Sequence, residues 1–226
     1  MKNCSQPFQK KISILVVFLL CCLNLYAQKP PFYDDIQAFK KLDSNAYPAK
    51  NAILFVGSSS FTKWTDVVKY FPGYPIINRG FGGSSLTDLI RYAPQIIFPY
   101  NPKQILIYCG ENDLAGSNTV TSKIVYDRFV QLYRMIRNRF SKASIAFVSM
   151  KPSPDRQHLR SKMQAGNKLI QQFLARQKNT SFINIYPAML LPNGRPMSHI
   201  FLSDSLHMNA KGYAIWQKII KPYLLK

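Results

Sequence analysis

The sequence is poor in cysteine, and most of its cysteines cannot take part in the fold. Three of the four, Cys4, Cys21 and Cys22, fall within the first 27 residues, a segment that we expect to be removed. Cys109 then remains alone and cannot form an internal disulfide. Three scattered histidines complete no structural zinc pattern with it: His158, His199 and His207. The sequence therefore predicts a fold that is held together without disulfides or structural zinc.

Acidic residues are also scarce. The chain has 10 Asp and Glu against 30 Lys and Arg, which gives a net charge of +20. Without the first 27 residues, which hold three lysines and no acid, the charge is still +17. Such an excess attracts anionic partners, such as acidic polysaccharide, lipid headgroups or nucleic acid. A solvated surface whose charge serves solubility explains the same excess. An exported location weighs against nucleic acid as a partner.

Long hydrophobic segments are missing. The longest apolar run, Ile12 to Leu23, is shorter than the roughly 20 residues of a membrane-spanning helix. It has lysines before it and Ala27 after it, the pattern of a signal peptide cleaved before Gln28. Neither Cys21 nor Cys22 follows the small residue of a lipidation signal. We therefore expect an exported protein, periplasmic or extracellular, with residues 1–27 removed and no integral membrane span.

Beyond residue 50, short apolar runs alternate with longer helical patterns. Ile, Val, Leu and Phe fill the runs almost without interruption, as buried parallel strands require. The five predicted strands are Ala52–Val56, Pro75–Asn78, Gln104–Cys109, Ser144–Met150 and Ser181–Ile185. The predicted helices include 61–70, 122–140, 159–176 and one from about residue 209. This alternation predicts a three-layer α/β/α sandwich around a five-stranded parallel sheet, spanning 51–226, with an N-terminal arm or helix over 28–50.

Polar segments follow the first three predicted strands. They are Gly57-Ser-Ser-Ser60, Gly80-Phe-Gly-Gly83 and Gly110-Glu-Asn-Asp113. In open parallel sheets, ligands bind beyond the carboxyl ends of the strands. We therefore expect the three segments to meet at one edge of the sheet.

A serine in the first segment needs help to act as a nucleophile, because its hydroxyl is protonated at neutral pH. A histidine can take the proton, and a carboxylate can orient that histidine. Asp204 and His207, three residues apart, can supply both groups from one turn. The serines could instead cap the helix that follows. They do not form a Gly-x-Ser-x-Gly elbow, because Phe61 stands where the second glycine would be.

The other two segments offer hydrogen-bond donors. Backbone N–H groups at Gly83 and the side-chain amide of Asn112 could bind the negative oxygen that develops in acyl transfer. Each has a plainer explanation, since glycines permit tight turns and asparagine closes Asx turns.

Of the charged residues nearby, we expect Glu111 and Asp113 to hydrogen-bond the loops. Lys151 and Arg156, after the fourth strand, could meet an anionic substrate or be solvated charges of a proline-rich loop.

These segments, in this order, resemble the SGNH (GDSL-type) hydrolase family, which is named for the Ser, Gly, Asn and His of its four blocks. The resemblance covers roughly residues 51 to 220 and implies a flavodoxin-like sandwich with esterase or acylhydrolase activity and no metal or cofactor. It implies Ser59 as nucleophile, Gly83 and Asn112 as oxyanion donors, and Asp204 and His207 as the remaining catalytic pair. Ser58 and Ser84 stand where the family commonly has aspartate, which we expect to affect geometry and substrate preference.

The function expected from the sequence is an exported serine esterase acting on small acyl esters, such as acetyl esters of carbohydrates. The alternative within the same chemistry is a lysophospholipase or another lipid acylhydrolase. Two alternatives without catalysis are a glycan-binding module on the same fold and a basic adhesin for anionic surfaces.

Overall fold

The computed structural model of the chain describes residues 29–226, and the predicted signal peptide, residues 1–27, lies outside the described residues. The chain divides into two units, 1–33 and 34–226. Only residues 29–33 of the first unit are described. The fold and the candidate site lie in the second.

Five parallel strands form one sheet with the order β2-β1-β3-β4-β5. Their bounds are β1 Ile53–Gly57, β2 Ile76–Gly80, β3 Gln104–Tyr108, β4 Ser144–Val148 and β5 Thr180–Ile183. The α-helices are α1 Tyr33–Asn45, α2 Ser59–Thr62, α3 Val67–Tyr70, α4 Leu86–Ile96, α5 Glu111–Gly116, α6 Ser122–Arg139, α7 Arg160–Leu174 and α8 Ala210–Ile220. The strand order is that of flavodoxin-like folds, so the prediction of a three-layer α/β/α sandwich is confirmed. Within residues 29–226, no helix combines the length and the apolar character needed to cross a membrane.

The predicted single helix over 61–70 is wrong, because the chain forms two short helices there, α2 and α3. Trp64, between them, is fully buried and stacks on Tyr213 with 4.8 Å between ring centroids. Burying an aromatic side chain of this size stabilises the fold by more free energy than one further turn of helix would contribute. The tertiary contact of the tryptophan therefore decides the local backbone.

The position of β1 in the sheet marks the edge where ligands bind in folds of this kind. Since β1 lies between β2 and β3, the connections after β1 and β3 lead in opposite directions from their carboxyl ends. In the register of the sheet, Gly57 at the end of β1 pairs with Gly80 and with Tyr108. The segments that follow these three residues therefore start side by side, as the sequence predicts.

Gly57 is required for this close approach. Its φ is +152°, and a Cβ added there would lie 2.0 Å from the carbonyl oxygen of Tyr108. We expect Gly57→Ala to lower the free energy of unfolding by about 3 kcal/mol or more, since the clash is with backbone. Urea unfolding at 25 °C measures the effect. Gly116→Ala, where a Cβ would meet no atom within 4 Å, is the matched control and should change stability by under about 1 kcal/mol. Equal stability of the two variants would contradict the account.

An aromatic cluster joins helix α8 to the segment after β1. Trp216 of α8 makes edge-to-face contacts with Tyr108 at 4.8 Å and with Phe61 at 6.2 Å. The hydroxyl of Tyr213 donates to the carbonyl oxygen of Ser60 at 2.9 Å. Because α8 begins three residues after His207, these contacts tie the histidine-bearing turn to the serine segment.

Candidate active site

The three serines after β1 differ in exposure. Ser58 is 3% exposed, and its N–H donates to the carbonyl oxygen of Tyr108 at 3.0 Å. Ser60 is 1% exposed, and its hydroxyl forms no hydrogen bond. Ser59, the first residue of α2, is partly exposed. Of the three hydroxyls, that of Ser59 is therefore the one that a substrate can reach.

The glycine turn after β2 folds back onto the end of β1. The carbonyl oxygen of Gly57 accepts from the N–H of Phe81 at 2.9 Å and from the hydroxyl of Ser84 at 3.2 Å. A Cβ added to Gly82 would lie 4.0 Å from Cβ of Ser59. Gly83 has φ +84°, the left-handed region that favours glycine. The turn thus lies beside Ser59, and the backbone conformation at Gly83 favours glycine there.

Ser84 stands where the family commonly has aspartate, and its contacts suit a serine. It is fully buried and donates its hydroxyl hydrogen to a carbonyl oxygen, which an ionised aspartate could not do. Its own carbonyl oxygen accepts from Nδ2 of Asn112 at 3.0 Å. This bond uses one of the two amide hydrogens of Asn112, so the other remains for a ligand. Ser84 therefore connects the asparagine segment to the end of β1.

The acidic neighbours of Asn112 hydrogen-bond the surrounding loops, as the sequence predicts. Asp113 accepts from the N–H of Leu86 at 2.9 Å and from Arg128 at 2.8 Å. Burial nevertheless raises the pKa of Asp113 above its usual 3.8, and these donors oppose the rise. Burial also raises the pKa of the Cys109 thiol, which stays protonated and donates to Ser84 at 3.5 Å.

Asp204 and His207 form a pair within one turn. Nδ1 of His207 lies 2.6 Å from Oδ2 of Asp204. Oδ1 of the same carboxylate accepts from the N–H groups of His207 at 2.9 Å and Leu206 at 3.0 Å. These bonds, above all the one from the His207 N–H, hold the pKa of Asp204 well below 3.8. An ionised carboxylate at Nδ1 favours a proton on that nitrogen and leaves Nε2 able to accept one.

The turn itself is fixed by local hydrogen bonds. Leu202 N–H donates to the carbonyl oxygen of His207 at 2.7 Å, which closes the loop. Asn209 caps α8 through its side-chain oxygen and donates Nδ2 to the carbonyl oxygens of His199 and Phe201. A Cβ at Gly212 would lie 2.7 Å from the carbonyl oxygen of Ile200. The residues after the histidine thus hold its turn rather than add chemistry.

The structure brings the predicted residues into two groups. Ser59, Gly83 and Asn112 share the carboxyl edge of β1 to β3, and Asp204 pairs with His207. Among residues 29–226, no hydrogen bond joins the Ser59 hydroxyl to the His207 ring, and neither Ser59 Oγ nor His207 Nε2 has a hydrogen-bond partner. The segments that carry the two groups are linked by the hydrogen bond from the Tyr213 hydroxyl to the carbonyl oxygen of Ser60, at 2.9 Å. In the same described part, no three His, Cys, Asp or Glu side chains could together hold a metal ion.

For Lys151, both possibilities raised by the sequence, contact with an anionic substrate and a solvated charge, are wrong. Lys151 is 1% exposed, and its Nζ lies 3.2 Å from Oε2 of Glu111, so its charge is buried and paired. Arg156 is half-buried, and its Nε lies 3.1 Å from Oδ2 of Asp155. Sequence reasoning missed the buried pair because its partners are 40 residues apart. The available signal was the position of Lys151 between Met150 and Pro152, in continuation of a buried strand.

Comparisons with known proteins agree with the fold. The GDSL-like lipase/acylhydrolase family matches residues 43–215. A Streptococcus pneumonia structure named for platelet activating factor has a TM-score of 0.74 at 20% identity, with 94% of this chain and 99% of that one covered. A GDSL-like lipase from Bacteroides thetaiotaomicron has a TM-score of 0.67 at 18% identity, covering 84% and 97%. An acetylxylan esterase from Geobacillus stearothermophilus has 0.60 at 14%, covering 76% and 93%. The comparison with curated proteins found no match.

Proposed function

The chain belongs to the GDSL-like lipase/acylhydrolase family, and on that premise we propose that it is an exported serine esterase. The observation that carries the proposal is the 2.6 Å contact between Asp204 and His207. It leaves the outer nitrogen of the histidine unpaired, while Ser59 alone of its cluster is accessible. Nucleophilic catalysis by serine needs this combination of groups.

In the proposed reaction, Ser59 Oγ bonds to the ester carbonyl carbon while its proton passes to Nε2 of His207. Asp204 stabilises the imidazolium that forms. The protonated histidine then gives its proton to the departing alcohol as the C–O bond breaks, which leaves an acyl group on Ser59. Water attacks this acyl-enzyme while losing a proton to His207, and His207 then returns that proton to Ser59 Oγ as the bond to the acyl carbon breaks and the acid is released. The oxyanion accepts hydrogen bonds from the N–H groups of Ser59 and Gly83 and the second amide hydrogen of Asn112.

We propose small acyl groups, such as acetyl on a carbohydrate, as the substrate class. One residue separates β1 from α2, two separate β3 from α5, and five separate β2 from α4. Segments this short make the site beside Ser59 shallow and provide little surface to cover a long acyl chain. The structurally similar acetylxylan esterase is consistent with this choice. One observation favours the lipid alternative: Leu202, whose N–H contacts the turn of His207, is 45% exposed.

Comparing 4-nitrophenyl acetate with the decanoate ester tests this assignment. We expect kcat/KM for the acetate to be at least about tenfold higher, because the short segments beside Ser59 offer a longer chain little apolar surface to bury. A parallel screen of acetylated sugars and lysophospholipids identifies the alcohol. A preference for decanoate would contradict small acyl groups as the substrate class and favour the lipid acylhydrolase alternative. Hydrolysis that persists in Ser59→Ala would instead contradict the serine mechanism.

Export is the remaining part of the proposal. It rests on the lysines and the apolar run of residues 1–27. Sequencing the N-terminus of protein recovered outside the cytoplasm should give Gln28 first. A mature chain that retains Met1 would contradict cleavage.

A further inference from the structure

Three buried polar side chains form a cluster behind the carboxyl ends of β3 and β4. The hydroxyl of Tyr108 donates to Oε2 of Glu111 at 2.6 Å. Nζ of Lys151 donates to the Tyr108 hydroxyl at 3.1 Å and to Glu111 Oε2 at 3.2 Å. The backbone N–H of Lys151 donates to the second oxygen, Oε1, of Glu111 at 2.6 Å. Both oxygens of one carboxylate thus bind the segment after β4.

Stability alone does not explain this cluster. Taking an ammonium and a carboxylate out of water costs more than their attraction returns, unless further hydrogen bonds satisfy both groups. Apolar side chains of similar volume commonly hold a core together as well or better. A buried ion pair is therefore better explained by what its geometry fixes.

The segments that carry the cluster are joined to the serine segment, the asparagine segment and the histidine turn. Glu111 directly precedes Asn112 at the start of α5. The carbonyl oxygen of Tyr108 accepts from the N–H of Ser58, next to the proposed nucleophile, at 3.0 Å. In the loop that Lys151 begins, the N–H of Asp155 donates at 3.1 Å to the carbonyl oxygen of Ser205, inside the turn of Asp204 and His207. One loop is thus bonded to both the asparagine segment and the histidine turn.

We propose that Lys151 is a positioning residue for the oxyanion donor. Its ion pair with Glu111 fixes the first turn of α5, so that the free amide hydrogen of Asn112 meets the oxyanion. Its backbone places the loop that supports the histidine turn. This inference rests on the proposed esterase function and assigns no contact between Lys151 and substrate.

Lys151→Met tests the role, because methionine keeps most of the volume and removes the charge. We expect kcat for 4-nitrophenyl acetate to fall about 10- to 100-fold with KM changed less than about threefold, since a displacement near 1 Å at a catalytic group has effects of this size. Arg137→Met is the matched control. Arg137 binds the carbonyl oxygens of Ala143 and Lys178 at the opposite end of the sheet, so kcat should stay within about twofold.

A double-mutant cycle separates positioning from general destabilisation. Asn112→Ala alone should lower kcat by about 10²–10³-fold, the usual effect of losing one oxyanion donor. In the Lys151→Met background, the same change should lower kcat by a smaller factor, reduced by about as much as Lys151→Met alone lowers kcat, because the amide is already misplaced. Independent factors that multiply would show that Lys151 does not act through Asn112 and would overturn the inference.

Two further measurements keep the test decisive. If Lys151→Met does not fold, Tyr108→Phe removes one hydroxyl from the cluster, keeps the ring against Trp216, and should lower kcat about 3- to 10-fold. The NMR resonances of the Asn112 side-chain amide should shift in the cluster variant and not in Arg137→Met, whether or not an ester is hydrolysed. An unmoved amide signal or unchanged kcat in an active enzyme overturns the inference and leaves the proposed function standing. A wild-type protein without esterase activity overturns the proposed function itself.

Discussion

Replacing Ser59 by alanine should lower kcat for 4-nitrophenyl acetate by about 10⁵-fold or more. The variant keeps the oxyanion donors but has no atom that can bond to the acyl carbon, and losing the nucleophile of a serine hydrolase has effects of this order. Stability should hardly change, because the Ser59 side chain is partly exposed and forms no hydrogen bond with residues 29–226. Steady-state kinetics and urea unfolding measure the two effects.

Ser60→Ala is the matched control for this change. Its hydroxyl is buried and a substrate cannot reach it, so its removal should leave kcat within about threefold. The reverse result, an inactive Ser60 variant and an active Ser59 variant, would show that the accessible serine is not the nucleophile.

Asp204→Asn should lower kcat by about 10³-fold. The amide oxygen can still accept from the backbone, but the neutral side chain no longer stabilises the imidazolium and favours the wrong tautomer. A fully buried carboxylate in this role contributes about 10⁴. The Asp204 side chain is 45% exposed, so water replaces part of its effect. Asp155→Asn, which neutralises an exposed carboxylate beside the same turn, should retain kcat within about threefold.

The lowered pKa of Asp204 gives this pair a pH dependence of known sign. The carboxylate stays ionised as the pH falls below the usual 3.8. Its stabilisation of the turn is complete above the unfolded pKa and is lost only as the pH falls through the lowered folded pKa. Near pH 3.5 the wild type should therefore still hold the turn more stably than Asp204→Asn does, and this difference should disappear only at lower pH. Identical acid dependence of the His207 resonances in both proteins would contradict this.

The sheet could be predicted from sequence because its signals are local. Buried parallel strands need unbroken runs of Ile, Val, Leu and Phe, and the ends of all five predicted strands fall within two residues of those observed. Asp204 and His207 were equally accessible to prediction, since three residues and one turn separate them. Polar segments at strand ends follow from topology alone.

The features that were missed depend on contacts between distant positions. The break between α2 and α3 follows from the packing of Trp64 on Tyr213, and the bond from Tyr213 to Ser60 spans 153 positions. The burial of Lys151 depends on Glu111, 40 positions away. A lysine after a strand has the same local pattern whether it faces solvent or a buried carboxylate, so spacing alone could not decide its role.

Labelling with a fluorophosphonate ester tests most directly whether Ser59 and His207 work as one unit. The reagent bonds covalently to a serine whose proton is removed by a neighbouring base, and peptide mass spectrometry identifies the modified residue. We expect one adduct per chain, on Ser59, and a labelling rate at least about 10³-fold lower in His207→Ala. An adduct on Ser58 or Ser60, or the same rate without the imidazole, would contradict the account.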